Sequence, residues 1–245
     1  SDAISYKDKG IIFPASPNTG KTMMISRLRN REGVEFFGDD FAIIGNGQLF
    51  SFPSDFSVYK YHFDFFPELK DTAASTKIKK ASFERALVLF IRSLPIKKAI
   101  KRLANAIGYE YLMGGEYLKI PAKNLIRAEK IGKQLPLAVA VLLEKYDGGE
   151  LKEESITAKA VAREMADILK LEWKDSLPVL FLLSRAKILD ADAFFNAIEQ
   201  IFSKELAELK MQKVFLPTRI KNEERTDQLE QFLEKEVFFT IKKNK

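Results

Sequence analysis

Between residues 10 and 31 the chain runs from an apolar stretch, through a loop of small and turn-forming residues, into a helix-like segment, and this order restricts the fold most. Gly10-Ile11-Ile12-Phe13-Pro14 reads as a short buried strand. Residues 15–20, with Ser, Pro, Asn, Thr and Gly in succession, read as a loop. Residues 22–31 read as a short helix. Met23, Met24, Ile25 and Leu28 are available to pack, Arg27, Arg29 and Arg31 face solvent, and Gly33 closes it. A strand feeding a helix through a tight loop is the opening unit of an α/β fold.

The loop itself, Ala15-Ser16-Pro17-Asn18-Thr19-Gly20-Lys21-Thr22, fits a relaxed Walker A pattern in which Ala stands for the first Gly. A loop that wraps a phosphate must turn successive backbone N–H groups inward, and the helix behind it adds its positive N-terminal end. Gly20 permits the close approach, and Ser16, Pro17, Asn18 and Thr19 form the rest of the cradle. Lys21 reaches the β- and γ-phosphates, and the Thr22 hydroxyl ligates Mg²⁺. Ala15 is tolerated there if its φ is negative. An ordinary structural loop is the plainer alternative.

A second acidic element, Asp39-Asp40, closes the strand-like run Val34-Glu35-Phe36-Phe37 after Gly38. Adjacent strand residues point to opposite faces, so two aspartates share one site only where the strand ends and the backbone turns. There one of Asp39 and Asp40 would hold Mg²⁺ or its water ligands, and close like charges would raise one carboxyl's pKa, which suits a general base. A solvated acidic turn is the other reading.

The remaining elements extend the same architecture. Phe41-Ala42-Ile43-Ile44 is strand-like, and Gly45-Asn46-Gly47 is a turn into residues 48–52. Residues 52–76 are aromatic and irregular, and His62 there reads as packing between rings rather than as a catalytic group. Residues 78–94 and 96–107 read as two basic amphipathic helices broken at Pro95, residues 109–120 as a hairpin, and residues 121–134 as a helix. Pro136-Leu137-Ala138-Val139-Ala140-Val141-Leu142-Leu143 is apolar on both parities, as in a strand covered on both faces or in a buried helix. Helices follow near 155–171, 176–187 and 190–209, with Trp173 as an anchor near a helix end. Lys213-Val214-Phe215-Leu216-Pro217 reads as the last strand, and residues 224–236 as the last helix.

Charge is unevenly placed along the 245 residues, whose net charge is +6. Residues 77–133 hold 14 Lys/Arg against 4 Asp/Glu, whereas the segments on either side are each slightly acidic. The expected organisation is one continuous domain: 1–76 with the loop and the Asp pair, 77–133 as a basic, mainly helical insertion, and 134–245 as the rest of the core. The insertion suits an anionic partner or is simply a solvated cationic face. With no cysteine and a single histidine, disulfides, thiolate nucleophiles and Cys-rich zinc sites are excluded. No apolar run is long enough to span a membrane, and no signal peptide is recognisable at residues 1–4, so the expectation is a cytoplasmic protein.

From Lys9-Gly10-Ile11-Ile12-Phe13 through the loop to Gly38-Asp39-Asp40-Phe41-Ala42-Ile43-Ile44, the sequence resembles the HPr kinase and phosphoenolpyruvate carboxykinase superfamily of P-loop proteins. Similarity returns at 135–144 and 213–217. The resemblance implies an α/β P-loop core sheet with a mostly helical insertion. It also implies phosphoryl transfer from ATP, or another nucleoside di- or triphosphate, to a hydroxyl of a small molecule or a protein serine, with Mg²⁺. Carried over, Lys21 and Thr22 are the phosphate and metal residues, and Asp39 and Asp40 the base and metal pair. Members often form homo-oligomers. The histidine that bifunctional HPr kinases carry before the loop is missing, as is their segment for binding the partner protein, which argues against HPr as substrate. A different class of function, a non-catalytic nucleotide-binding module whose basic insertion holds a protein or nucleic acid, is the alternative. A domain that has lost nucleotide binding is the third.

Overall fold

In the computed structural model, residues 2–17, 19–28, 31–54, 56–59, 117–122, 126–239 and 241 are described. Ten strands are found among them: β1 (Asp2–Tyr6), β2 (Lys9–Phe13), β3 (Val34–Gly38), β4 (Ile43–Gly45), β5 (Gln48–Phe50), β6 (Phe56–Tyr59), β7 (Tyr117–Ile120), β8 (Gln134–Tyr146), β9 (Lys152–Ser155) and β10 (Lys210–Pro217). The helices are α1 (Lys21–Leu28), α2 (Ala158–Glu172), α3 (Leu177–Arg185), α4 (Ala191–Leu206) and α5 (Asn222–Phe232), the last continuing into π-helical turns over Leu233–Phe238. The chain divides into two compact units, residues 1–54 with 126–245, and residues 55–125. In the second unit β6 and β7 pair antiparallel, Phe56 opposite Ile120 and Tyr59 opposite Tyr117. The two basic helices expected at 78–94 and 96–107, His62 and the tip of the 109–120 hairpin lie outside the described residues.

The first unit is built on a mixed sheet in the order β3-β1-β2-β8-β10-β9. The parallel pairs β2–β8 and β8–β10 form its centre, flanked by antiparallel β1, β3 and β9. The apolar run at 136–143 is a strand, with Val139 through Leu143 all buried. Burial on both parities follows from covering both faces of the sheet with helices. Ala3, Ile12 and Ala140 pack with Val161, Ala162 and Met165 of α2 on one face. Tyr6, of opposite parity to Ala3, stacks on Phe238 at 4.2 Å, which places the C-terminal helix on the other face. β9 is a short charged edge, Lys-Glu-Glu-Ser, exposed at all four positions, a composition that discourages further strand pairing.

Four local expectations change. The helix expected at 121–134 is absent over 126–134, where a single 3₁₀ turn (Ala128–Lys130) is followed by extended chain. Ile131 bridges to Phe36, the Gly132 amide donates to the Phe36 carbonyl at 2.9 Å, and the Lys130 ammonium donates to the Arg31 carbonyl at 2.7 Å. Tertiary pairing with β3 thus overrides local propensity. The strand expected at 41–44 is confined to Ile43–Gly45, because Phe41 turns outward against Phe52. Arg27 and Arg31 do not face solvent freely. Arg27 pairs with Asp227, and Arg31 with Glu234, so α1 is tied to α5 and the turns after it. Finally, β1 and β9 are strands where no strand was expected.

Candidate functional site

The loop between β2 and α1 stands at the end of the central parallel strands, where open α/β sheets bind ligands. Ala15 is buried and bridges to Leu143 in parallel pairing, and the Leu143 amide donates to the Pro14 carbonyl at 2.9 Å. Its φ is not among the positive ones, so Ala in place of the first Gly costs no backbone strain. Gly20 has φ 97°, and nothing lies within 4 Å of where a Cβ would stand. Ser16 and Pro17 are exposed, and Pro17 brings no amide hydrogen. Thr19 is buried, and its hydroxyl donates to the Ser16 carbonyl. Asn18 and the Thr22 side chain lie outside the described residues.

Lys21 opens α1 and is only 8% exposed. Its ammonium folds back over the loop, 3.3 Å from the Ala15 carbonyl and 3.4 Å from that of Ser16. Two long contacts to neutral carbonyls leave a buried cation with donor capacity to spare.

Asp39 and Asp40 follow directly on β3. Gly38 is required there because a Cβ would stand 2.2 Å from the Phe41 carbonyl oxygen and 3.1 Å from that of Phe52. The chain reverses at once: the Phe41 amide donates to the Asp39 carbonyl at 2.7 Å, and Asp40 adopts φ 62°. The Ser54 hydroxyl donates to the same Asp39 carbonyl at 2.8 Å. Asp39 is buried and Asp40 lies outermost.

A third carboxylate, unforeseen in the sequence, joins this pair. Asp2 opens β1, whose next residue, Ala3, pairs with Gly38. One carboxylate oxygen from each of Asp2, Asp39 and Asp40 lies within 4.8 Å of the other two. Asp2 is fully buried. Its Oδ1 accepts from the Asp40 amide at 3.2 Å, and its Oδ2 has no hydrogen-bond partner among the described residues. Burial pushes the Asp2 carboxyl up to about 6, against the lowering pull of the Lys21 ammonium. Desolvation is the main cause of that rise. The hairpin turn at Lys7-Asp8, both residues at positive φ, was the available signal, since counting back from it puts Asp2 opposite Phe13.

The arrangement sets a buried lysine and the β2–α1 loop near three carboxylates, a donor set of hard oxygens. Among the described residues no helix is long and apolar enough to cross a membrane. Compared with family models, curated proteins and solved structures, the chain matches none.

Proposed function

We propose that the chain is a P-loop nucleotide-binding protein of the HPr kinase and carboxykinase type, acting as a Mg²⁺-dependent kinase on a hydroxyl. The observation that carries this reading is the placing of Lys21: buried at the start of α1, folded over its own loop, and beside an acidic cluster at the end of β3. That combination is costly to bury and serves no evident packing purpose.

On this reading each residue has a role. The backbone of residues 16–22 cradles the phosphates, and the Lys21 ammonium neutralises their charge. Thr22 and Asp40 would hold Mg²⁺, which would offset phosphate charge, while Asp39 would orient the acceptor hydroxyl and take up its proton. The nucleotide supplies the phosphoryl group. Everything else is positioning and charge compensation.

Calorimetric titration with Mg-ATP and Mg-ADP tests the reading. Binding by the wild type that is lost in Lys21→Ala is the expected result, and no binding by the wild type overturns it. Asp39→Asn then separates an enzyme from a binding module. Turnover should fall by at least ~10² while nucleotide affinity is retained.

A further inference from the structure

We infer that Asp2, Asp39 and Asp40 form a divalent-cation site that takes its ion without any nucleotide. Oxygens bound to one ion are separated by at most twice the metal–oxygen distance, about 4.2 Å for Mg²⁺ and about 5 Å for Ca²⁺. The three carboxylates, within 4.8 Å of one another, stand inside the Ca²⁺ limit, and a smaller ion would draw them closer by a few tenths of an ångström.

Proximity of acids alone would not distinguish this cluster from a solvated acidic turn. Asp2 does. It is 0% exposed, its Oδ1 is used by the Asp40 amide, and its Oδ2 is buried with no donor among the described residues. Buried carboxylate oxygens are almost always satisfied, and an ion is one of the few partners that fit a pocket already lined by acids. The hydrogen bonds of the Lys21 ammonium go to the Ala15 and Ser16 carbonyls, not to the three carboxylates. All three donors are hard oxygens, which selects Mg²⁺, Mn²⁺ or Ca²⁺ over softer metals. Mg²⁺ in nucleotide sites is commonly held by one or two carboxylates plus phosphate oxygens; a third carboxylate removes the dependence on phosphate. This goes beyond the kinase reading, in which Thr22 and Asp40 hold the metal alongside a nucleotide, and it stands without that reading.

The test is a titration of the nucleotide-free chain with Mn²⁺ alone, the free ion being followed by electron paramagnetic resonance. One Mn²⁺ per chain is expected, displaced by Mg²⁺ or Ca²⁺. Asp2→Asn should weaken binding at least ~tenfold and abolish the rise in melting temperature that Mn²⁺ gives the wild type. Asp40→Asn, at the outermost position, provides a second variant with the same expected loss should Asp2→Asn fold poorly. The inference is overturned if the wild type leaves Mn²⁺ free up to about 1 mM, or if both variants bind it as tightly as the wild type. Mn²⁺ binding without ATP binding would support this site and sink the nucleotide reading.

Discussion

The β1–β2–α1–β3 region buries charge, whereas the α2–α3–α4 layer exposes hydrocarbon. Asp2, Lys21 and Asp39 are at most 8% exposed, while Val179, Phe181, Leu182 and Ile188 are 57% to 73% exposed. Helix α3, Leu-Pro-Val-Leu-Phe-Leu-Leu-Ser-Arg, has no buried residue at all, although its composition is that of a core helix. By contrast α2 and α4 bury Val161, Ala162, Met165 and Leu206 against the sheet, and α2 is capped by the Thr157 hydroxyl accepting from the Ala160 amide. Hydropathy alone would have assigned α3 to the interior and Asp2 to the surface. The comparison teaches that topology decides burial here: β1 is sandwiched between β2 and β3, and whatever opens it is enclosed.

The contrast can be broken or sharpened by substitution. The largest effect on stability is expected from Gly38→Ala, because both groups met by the new methyl are backbone carbonyls. Destabilisation of roughly 3–4 kcal/mol should be seen in denaturant unfolding. An unchanged midpoint would mean that the Asp39–Phe41 reversal yields easily.

Next comes the pH dependence set by Asp2 in the metal-free chain. Its native pKa of about 6 lies above its ordinary 3.8. Between those values the folded chain keeps a proton that the unfolded chain has released. Stability should therefore fall as pH rises from about 4 to about 6 and level off above, with an amplitude of the order of 2–3 kcal/mol. Asp2→Asn should flatten that slope, and melting curves across the range check it. A slope that survives the substitution would assign the titration to another group.

The smallest effect belongs to the opposite region. Leu182→Ser should change stability by no more than about 0.5 kcal/mol, since the side chain is 66% exposed. A loss well above that, in the same unfolding assay, would show that α3 is covered in solution.

What was legible in the sequence is what short-range chemistry encodes. The turn residues before Lys21, the Gly38-Asp39-Asp40 reversal and the two-sided apolar run of β8 each carry their signal within a dozen residues. Asp2 was not legible, because its partners stand 37 and 38 positions away and only the pairing of β1 with β3 brings them together. Arg27 and Arg31 misled for the same reason. On a short helix they look solvated, yet Asp227 and Glu234 reach them from some 200 residues downstream, and Arg31 also lies 4.9 Å over the Phe238 ring. The 121–134 segment had helical composition but was claimed by β3 through Ile131 and Gly132. Resemblance to a family, drawn from the loop and the Asp pair, stays an expectation about chemistry; the α/β architecture stands on the sheet itself.

The parallel pairing of β2 with β8, Gly10 against Leu137 and Ile12 against Ala140, has a consequence for how the chain comes into being. Asp2, Lys21 and Asp39 lie within about forty residues of one another, and β1, β2 and β3 pair through short connections. The strand that holds β2 from its other side leaves the ribosome more than a hundred residues later, and β10 later still. Contacts of such long sequence separation form slowly, since loop closure must precede the burial that rewards it. The phosphate-loop candidate, tied to β8 where Ala15 bridges to Leu143, thus rests on a pairing of long sequence separation, whereas Asp2 and Asp39 are brought together by the more local pairing of β1 with β3.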